Sequence, residues 1–481
     1  MGNIVFFFFE YMVIFYTAFV VLSYLIMIFL SSREVKRHAV NSIDEREKRL
    51  LSKSPFTPGV SIVAPAYNEE VNIIDNVNSF LKQDYPKFEV IIVNDGSKDH
   101  TLEKLIENFD LVEVPYAYTE IIYTKPFKRL FRSINPKYDN LYVVDKENGG
   151  TKADAVNAGL NVAHYEWFVN TDVDCILPYD AIFQCVKMVL RHNNLLAVSG
   201  AMTMSNGCKV MSGELASRRA PISPIPLFQT LEYMRSFFLG KMAWSSINAM
   251  PNVSGGFGFL NRDLVMKAGG YAGDSFAEDM EVLLTTERYC CNFNIPFRVV
   301  QIPVNTCWTE GPSTLKILYR QRSRWGRGLL QTLVNNHDMI GRMRFRRTGL
   351  ITLTYITIFE FLAPIIEASG VLITIYFIIS GRLNIKTAII TFFAIMSFGL
   401  LVNTVVMLHD YLCGSSFEKR RDYILLLIAA VLEPIIYHPI VVVSSLSGYF
   451  KYIMNTKSVW GTMIRKKYAQ AESDAQTAPT T

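Results

Sequence analysis

The stretch WFVNTDVDCILP, residues 167–178, runs from an apolar, β-prone segment into two aspartates, Asp172 and Asp174, with one valine between them. Alone, such an ending reads equally well as an Asx-type turn closing a strand. Its surroundings decide between the readings. Upstream, VSIVAPAY (60–67), FEVIIVND (88–95), LYVVDKE (141–147) and EWFVNTD (166–172) have the composition of strands. Between them lie helical patterns: EEVNIIDNVNSFLKQ (69–83), a segment around 99–108, and KADAVNAGLNVA (152–163). This alternation predicts an α/β domain with a mostly parallel, mixed sheet and flanking helices.

Ligands of such sheets bind beyond the carboxyl ends of the strands. Three polar clusters fall at such ends: Tyr67-Asn68-Glu69, Asn94-Asp95-Gly96-Ser97 and Asp172-Val173-Asp174. A turn asks for Asn, Asp or Gly; it does not ask for a carboxylate after three strands of one sheet. Two aspartates one residue apart suit a hard cation, Mg2+ or Mn2+, that bridges a diphosphate and fills its remaining shell with phosphate oxygens and water. No glycine-rich dinucleotide fingerprint and no phosphate-cradling lysine loop follows the first strand.

The two ends of the chain have another character. Half of the 481 residues are hydrophobic (50%) and only 19% are charged, with the apolar excess before Arg33 and after Gly349. Ile4 to Leu30 is long enough to cross the roughly 30 Å hydrocarbon core at about 1.5 Å per residue. A cleaved signal peptide would have a shorter apolar run behind a basic start; here Arg33, Lys36 and Arg37 follow the run instead. The positive-inside rule then sets the N-terminus outside and the middle of the chain in the cytosol, at the plasma membrane. Further apolar blocks lie at about 350–379, 385–408 and 423–447. Lys419, Arg420 and Arg421 favour a cytosolic loop, and Lys451, Lys457, Arg465, Lys466 and Lys467 favour a cytosolic tail. Three simple crossings do not satisfy both. Glu433, Pro434, His438 and Pro439 point to a last block that is broken, re-entrant or doubled, and Glu360, Pro364 and Glu367 raise the same question for the first. The expected division is 1–32 for a first transmembrane helix, 33–58 for a linker, 59–335 for a cytosolic domain, 336–450 for about three membrane segments, and 451–481 for a basic, then disordered tail.

A net charge of +5, with basic residues gathered beside apolar runs, argues against nucleic-acid binding. The seven cysteines show no metal-ligand spacing and read as reduced, buried thiols. Segments 227–247 and 313–333 mix basic and aromatic-aliphatic residues at helical spacing, as helices at a membrane surface do.

The ordered set PAYNEE, VIIVNDGSKDHT, NGGTKADAVNAG, NTDVD, VSGGFGFLNRD, GGYAGDSFAEDME and RQRSRWGRG resembles a membrane-embedded glycosyltransferase of family 2. It is similar to the processive synthases of cellulose, hyaluronan, chitin and poly-N-acetylglucosamine, over about residues 60–330. The resemblance implies a GT-A domain between transmembrane helices. It implies that Asp95 contacts the nucleotide base with Tyr67 and Glu69 around it, and that Lys152 lies near the diphosphate or acceptor. It makes Asp172 and Asp174 the DxD pair, Asp279 the general base, and Gln321, Arg324 and Trp325 the Q-x-x-R-W signature. The family's Thr-Glu-Asp stands here as Ala277-Glu278-Asp279, which removes a hydroxyl.

Inverting transfer needs a base for the acceptor hydroxyl, charge neutralisation at the departing diphosphate and a platform for the acceptor sugar. Asp279, the Asp172/Asp174 pair with Arg324, and Trp325 meet these needs. The expected activity is extension, with export, of a β-linked polysaccharide from a nucleotide sugar such as a UDP-sugar, the polar residues Glu360, Glu367, Glu433 and His438 facing a wet path. The alternatives are transfer of one sugar to a lipid carrier such as polyprenyl phosphate, and an inactive sugar- or nucleotide-binding subunit. The sugar, the linkage, the oligomeric state and accessory subunits stay open.

Overall fold

The computed structural model describes residues 2–40 and 45–456. The tail from residue 457 on, with its expected disorder and four of its basic residues, lies outside them. The strands are β1 Val60–Ala66, β2 Phe88–Asp95, β3 Leu111–Val114, β4 Phe127–Ser133, β5 Leu141–Lys146, β6 Trp167–Thr171, β7 Leu195–Met204, β8 Lys209–Met211, β9 Glu214–Ser217, β10 Phe257–Asn261 and β11 Arg298–Thr309. Among the described residues, nine of them form one sheet in the order β11-β7-β10-β6-β1-β2-β5-β4-β3, and β8 and β9 form a separate hairpin.

The centre, β6-β1-β2-β5, is parallel, as the strand–helix alternation predicts. Side chains partition by the strand period: Val60, Ile62 and Ala64 pack with helices Ile73–Leu81 and Thr101–Asn108, whereas Val63, Ile91 and Val93 pack with helix Lys152–Val162. The flanks are different. β10 runs antiparallel between β6 and β7, and β4 runs antiparallel beside β5. The reversal of β10 has a consequence for the site. Phe257, its first residue, pairs with Thr171, the last of β6, so the loop before β10 reaches the edge where β1, β2 and β6 end.

The N-terminal helix does not stop at residue 32; it runs Gly2–Val40, since no Gly or Pro interrupts "SSREVKRH". Three helices among the described residues are long and apolar enough to cross a membrane: Ile14–His38, Thr348–Ile379 and Ile385–Leu412. Much of their apolar surface is uncovered by protein, which in water would be untenable. Helices Arg420–Ile436 and His438–Ile453 make a fourth span if taken as one, bent by 49° at Tyr437 between the two prolines.

The two basic-aromatic segments do not lie bare on a bilayer. The first is continuous over Pro224–Arg235, a π-helical turn Ser236–Lys241 and Met242–Ser246. It is sandwiched between β7 and β11 on one side and the membrane helices on the other, with both faces largely buried. The second, Leu315–Asn335, crosses His438–Ile453 at backbone contact: a Cβ on Gly326 would stand 2.7 Å from the Ser445 carbonyl oxygen. Glu433 faces no open path either. It is buried and forms a double ion pair with Arg235 (2.9 and 3.2 Å), which also bonds Asn403 at 3.0 Å. A carboxylate at that depth needs such a partner. Glu360 is exposed, and Glu367 meets His438 at 2.8 Å with both side chains partly uncovered by protein.

Candidate active site

The loops after β1 and β2 are laced together. Asn68 takes a left-handed backbone (φ 57°), accepts from the Lys98 amide at 2.8 Å, and its own amide donates to Ser97 Oγ at 3.1 Å. The Glu69 amide donates to Thr101 Oγ1 at 2.9 Å, and Tyr67 projects with 42% of its surface exposed. Asp95 closes β2 and is buried. Its carboxylate accepts from Lys146 Nζ (2.8 Å), the Gly149 amide (2.9 Å) and Asn148 Nδ2 (3.2 Å). Burial raises its pKa, and Lys146 and Gly149 oppose that rise. Lys146 is fully buried and also holds Asp154 at 2.5 Å. The parallel register pairs Asp95 with Lys146, a partnership visible only once β2 and β5 are aligned.

Lys152 opens the next helix behind its Thr151 cap. A first-turn helical lysine is commonly solvated, but this one is buried, and its ammonium reaches Asp172 Oδ1 at 2.5 Å and the Gly255 carbonyl at 2.6 Å. Burial would lower its pKa; Asp172, Glu278 and Asp279 overcome that and hold it above the usual lysine range. Gly255 in turn lies against Asp279, whose Cβ, Cγ and Oδ2 would each be 3.7 Å from a Cβ placed there. One ammonium thus joins the end of β6 to the start of helix Glu278–Asn292.

Asp172, Asp174 and Cys175 bring their ligand atoms within 4.8 Å of one another. The Cys175 thiol is held protonated by a hydrogen bond with Cys307 and by burial, so the available donors are two carboxylates. An oxygen-only pair on a half-exposed turn fits Mg2+ or Mn2+ and does not fit zinc.

Asp279 sits in the first helical turn, where the dipole favours a carboxylate. Its Oδ1 accepts from the Met280 amide at 3.0 Å, and its Oδ2 accepts from Asn252 Nδ2 at 3.1 Å. Asn252 lies just before VSGGFGFLNRD and was not singled out by sequence. Asn252→Ala is expected to slow turnover about ten- to hundredfold with donor KM unchanged, the value of one hydrogen bond to a charged group; steady-state kinetics checks it. Buried Glu278, pushed up by burial and pulled back by Lys152, lies beside it. Lys241 is buried over the Phe237 ring; burial brings it down to about 8 against the pull of Asp279.

The loop carrying Asp279 is held by helix Leu315–Asn335. Arg324 Nη1 donates to the Phe276 carbonyl (3.3 Å), the Phe276 amide donates to Gln331 Oε1 (2.9 Å), and a Cβ on Gly328 would stand 2.8 Å from Ala277 Cβ. Ala277 therefore sits at a close helix contact. Gln321 accepts from Gln229 Nε2 at 2.9 Å. Half-buried Trp325 stacks on Tyr233 (6.5 Å between centroids) and lies under the Arg322 guanidinium, 4.3 Å from the ring centre. Arg322, which sequence reasoning passed over in favour of Arg324, is the buried one. It binds Glu232 through two N–H groups (2.7 and 2.5 Å) and the Tyr437 hydroxyl at 2.8 Å, at the bend of the last membrane pair.

Against known proteins, the family model described as Glycosyl transferase family 2 matches residues 61–117, and that described as Glycosyl transferase family group 2 matches residues 181–407. The chain is a glycosyltransferase. Its sheet is the GT-A arrangement of this glycosyltransferase, set beside apolar helices that fit membrane spans. The glycosyltransferase is 26% identical over 378 residues to a poly-beta-1,6-N-acetyl-D-glucosamine synthase of Staphylococcus epidermidis, which covers 78% of this chain and 79% of the relative. A synthase of the same description from Staphylococcus aureus is 27% identical over 302 residues, covering 63% and 60%. Among solved structures, a mannosyltransferase from Pyrobaculum calidifontis in complex with GDP-Man and Mn2+ is 18% identical with a TM-score of 0.49, covering 90% of this chain and 99% of that one. That likeness is too low to speak to donor or acceptor.

Proposed function

We propose that this glycosyltransferase takes a UDP-sugar, UDP-N-acetylglucosamine, and adds the sugar with inversion to the growing end of a β-linked polysaccharide that leaves through the membrane helices. The observation that carries the reading is Lys152, whose single ammonium ties Asp172 to the Gly255 loop against Asp279. Metal-binding carboxylates and base are therefore within one lysine of each other, as a displacement at the anomeric carbon requires. The name of the Staphylococcus epidermidis relative supports the choice of sugar.

In this reading Asp279 takes the proton of the acceptor hydroxyl, the hydroxyl oxygen forms the new bond to the anomeric carbon, and the bond to the diphosphate breaks with its electrons on the departing UDP. A divalent cation held by Asp172 and Asp174 neutralises that charge when bound. Lys152 and Arg324 add fixed positive charge, with Asp95, Tyr67 and Glu69 around the nucleotide. Trp325, with Gln321 beside it, supports the acceptor sugar. The Arg322–Glu232–Tyr437 network keeps its ring in place and links it to the helix bend. Glu360 and the Glu367–His438 pair line the path of the polymer. The basic residues Arg33, Lys36 and Arg37 set the catalytic domain in the cytosol and the N-terminus outside, at the plasma membrane.

The test is purified full-length protein in detergent, given a panel of UDP-sugars with Mg2+ or Mn2+, followed by sizing of the products. Polymer from UDP-N-acetylglucosamine is expected. A lipid bearing one sugar under excess donor would overturn chain extension and favour transfer to a polyprenyl phosphate. Trp325→Ala is expected to shorten products to oligosaccharides with donor affinity unchanged. Loss of an aromatic face worth about 0.5–1.5 kcal/mol shortens residence of the chain up to about tenfold.

A further inference from the structure

Away from the catalytic residues, a cavity of about 240 Å3 lies between the inner end of the N-terminal helix, the end of helix Ala181–Arg191, helix Met242–Ser246 and β11. Its titratable lining is Arg37, His38, Arg191, His192 and Arg298, against one acid, Glu34, which Arg37 already engages at 2.7 Å. Lys187, one turn before Arg191, stands 3.9 Å from Glu47. Among the described lining residues, three arginines face the one acid, Glu34. His192 registers them: burial first, then Arg298 and Arg191, hold its pKa below the usual histidine range.

Two lining side chains are incomplete in complementary ways. Arg298 Nε is buried and meets no hydrogen-bond acceptor among the described residues. Gln301 gives its amide N–H to the Ile302 carbonyl at 2.8 Å, and its buried Oε1 meets no donor among the described residues. An unpaired buried donor on a cation and an unpaired acceptor close by on one strand are both costly, and one ligand with an anionic oxygen and a hydroxyl would satisfy both.

Depth in the membrane narrows the chemistry. The apolar run of the N-terminal helix ends at Leu30, and Arg37 follows seven residues later, about 10 Å along the axis at 1.5 Å per residue. That is the level of lipid phosphates, where basic pockets beside transmembrane helices take anionic headgroups. We propose that this cavity binds a phosphodiester bearing a hydroxyl, the chemistry of a phosphoglycerol headgroup. The phosphate oxygens accept from Arg298, and the hydroxyl donates to Gln301 Oε1. The site shares no residue with the proposed transfer chemistry, so it stands or falls separately.

The same chemistry exists in a lipid and in its free headgroup, and the test separates them. Full-length protein in detergent is incubated with phosphatidylglycerol, with phosphatidylcholine, or with soluble glycerophosphoglycerol, and retention is read by native mass spectrometry. Phosphatidylglycerol is expected to be retained and phosphatidylcholine not. Arg298→Gln should cut retention at least tenfold. His192→Glu, which adds a negative charge at the cavity without removing Arg298 from the core, should do the same, with UDP binding unchanged in both as the control for folding. Binding of glycerophosphoglycerol as tight as that of the lipid would overturn the lipid source and leave a soluble phosphodiester. Retention unaffected by either variant, or no preference over phosphatidylcholine, would overturn the site.

Discussion

Replacing Asp174 by asparagine is expected to lower sugar transfer about a thousandfold or more, and excess chelator is expected to abolish transfer by the unaltered protein. Asparagine keeps the shape of the turn after β6 but removes one of the two charges available to a cation. The other, on Asp172, is already shared with Lys152 at 2.5 Å. With one ligand gone and its neighbour neutralised, little remains to hold a divalent ion. Charge neutralisation at the leaving diphosphate by such an ion is worth several kcal/mol, and each 1.36 kcal/mol is a factor of ten. The donor should also bind more weakly, because Asp172 and Asp174 would hold the ion that would neutralise its diphosphate. Product formation across a metal titration, with and without EDTA, gives the answer; full turnover in excess EDTA would exclude a metal-dependent mechanism.

Asp279→Asn should separate binding from chemistry. The side chain lies against Gly255, whose carbonyl accepts from Lys152, and its Oδ2 accepts from Asn252. Asparagine preserves the volume but takes no proton. Loss of a general base costs about 10²–10⁴ in rate, or roughly 3–5 kcal/mol. Nucleotide affinity by calorimetry should stay within a few-fold of the unaltered protein, in contrast to Asp174→Asn. Transfer within a few-fold of normal would remove Asp279 from the role of base.

How much of this was legible follows the range of the interactions. The central strands show themselves by composition, and the polar clusters at Tyr67, Asp95 and Asp172 show themselves as strand endings, because both signals occupy a few adjacent residues. The sequence reading did not place β3, β4, β7 or β11, nor the reversal of β10. In β7, LLAVSGAMTM is buried throughout and has no alternation to read. The site shows the same split. Asp172, Asp174, Asp279 and Trp325 stand in recognisable motifs, whereas Asn252, Lys146 and Arg322 take their meaning from partners far along the chain.

The amino-acid sequence by itself determined that a mixed α/β domain lies between apolar helices, that carboxylates end its strands, and that basic residues flank the first span. Each is a property of local period or local charge. Only the tertiary structure decided who pairs with whom. The β2–β5 register buries Lys146 against Asp95, and the reversed β10 brings Gly255 and Asn252 to the carboxyl edge. Helix crossing joins Arg322 to Glu232 and Tyr437, and Arg235 to Glu433, so that a residue expected to face a wet path became a structural anchor. The physical reason is that a buried charge is tolerable only beside its partner, and the partner is chosen by packing between elements tens to hundreds of residues apart, where local sequence carries no signal.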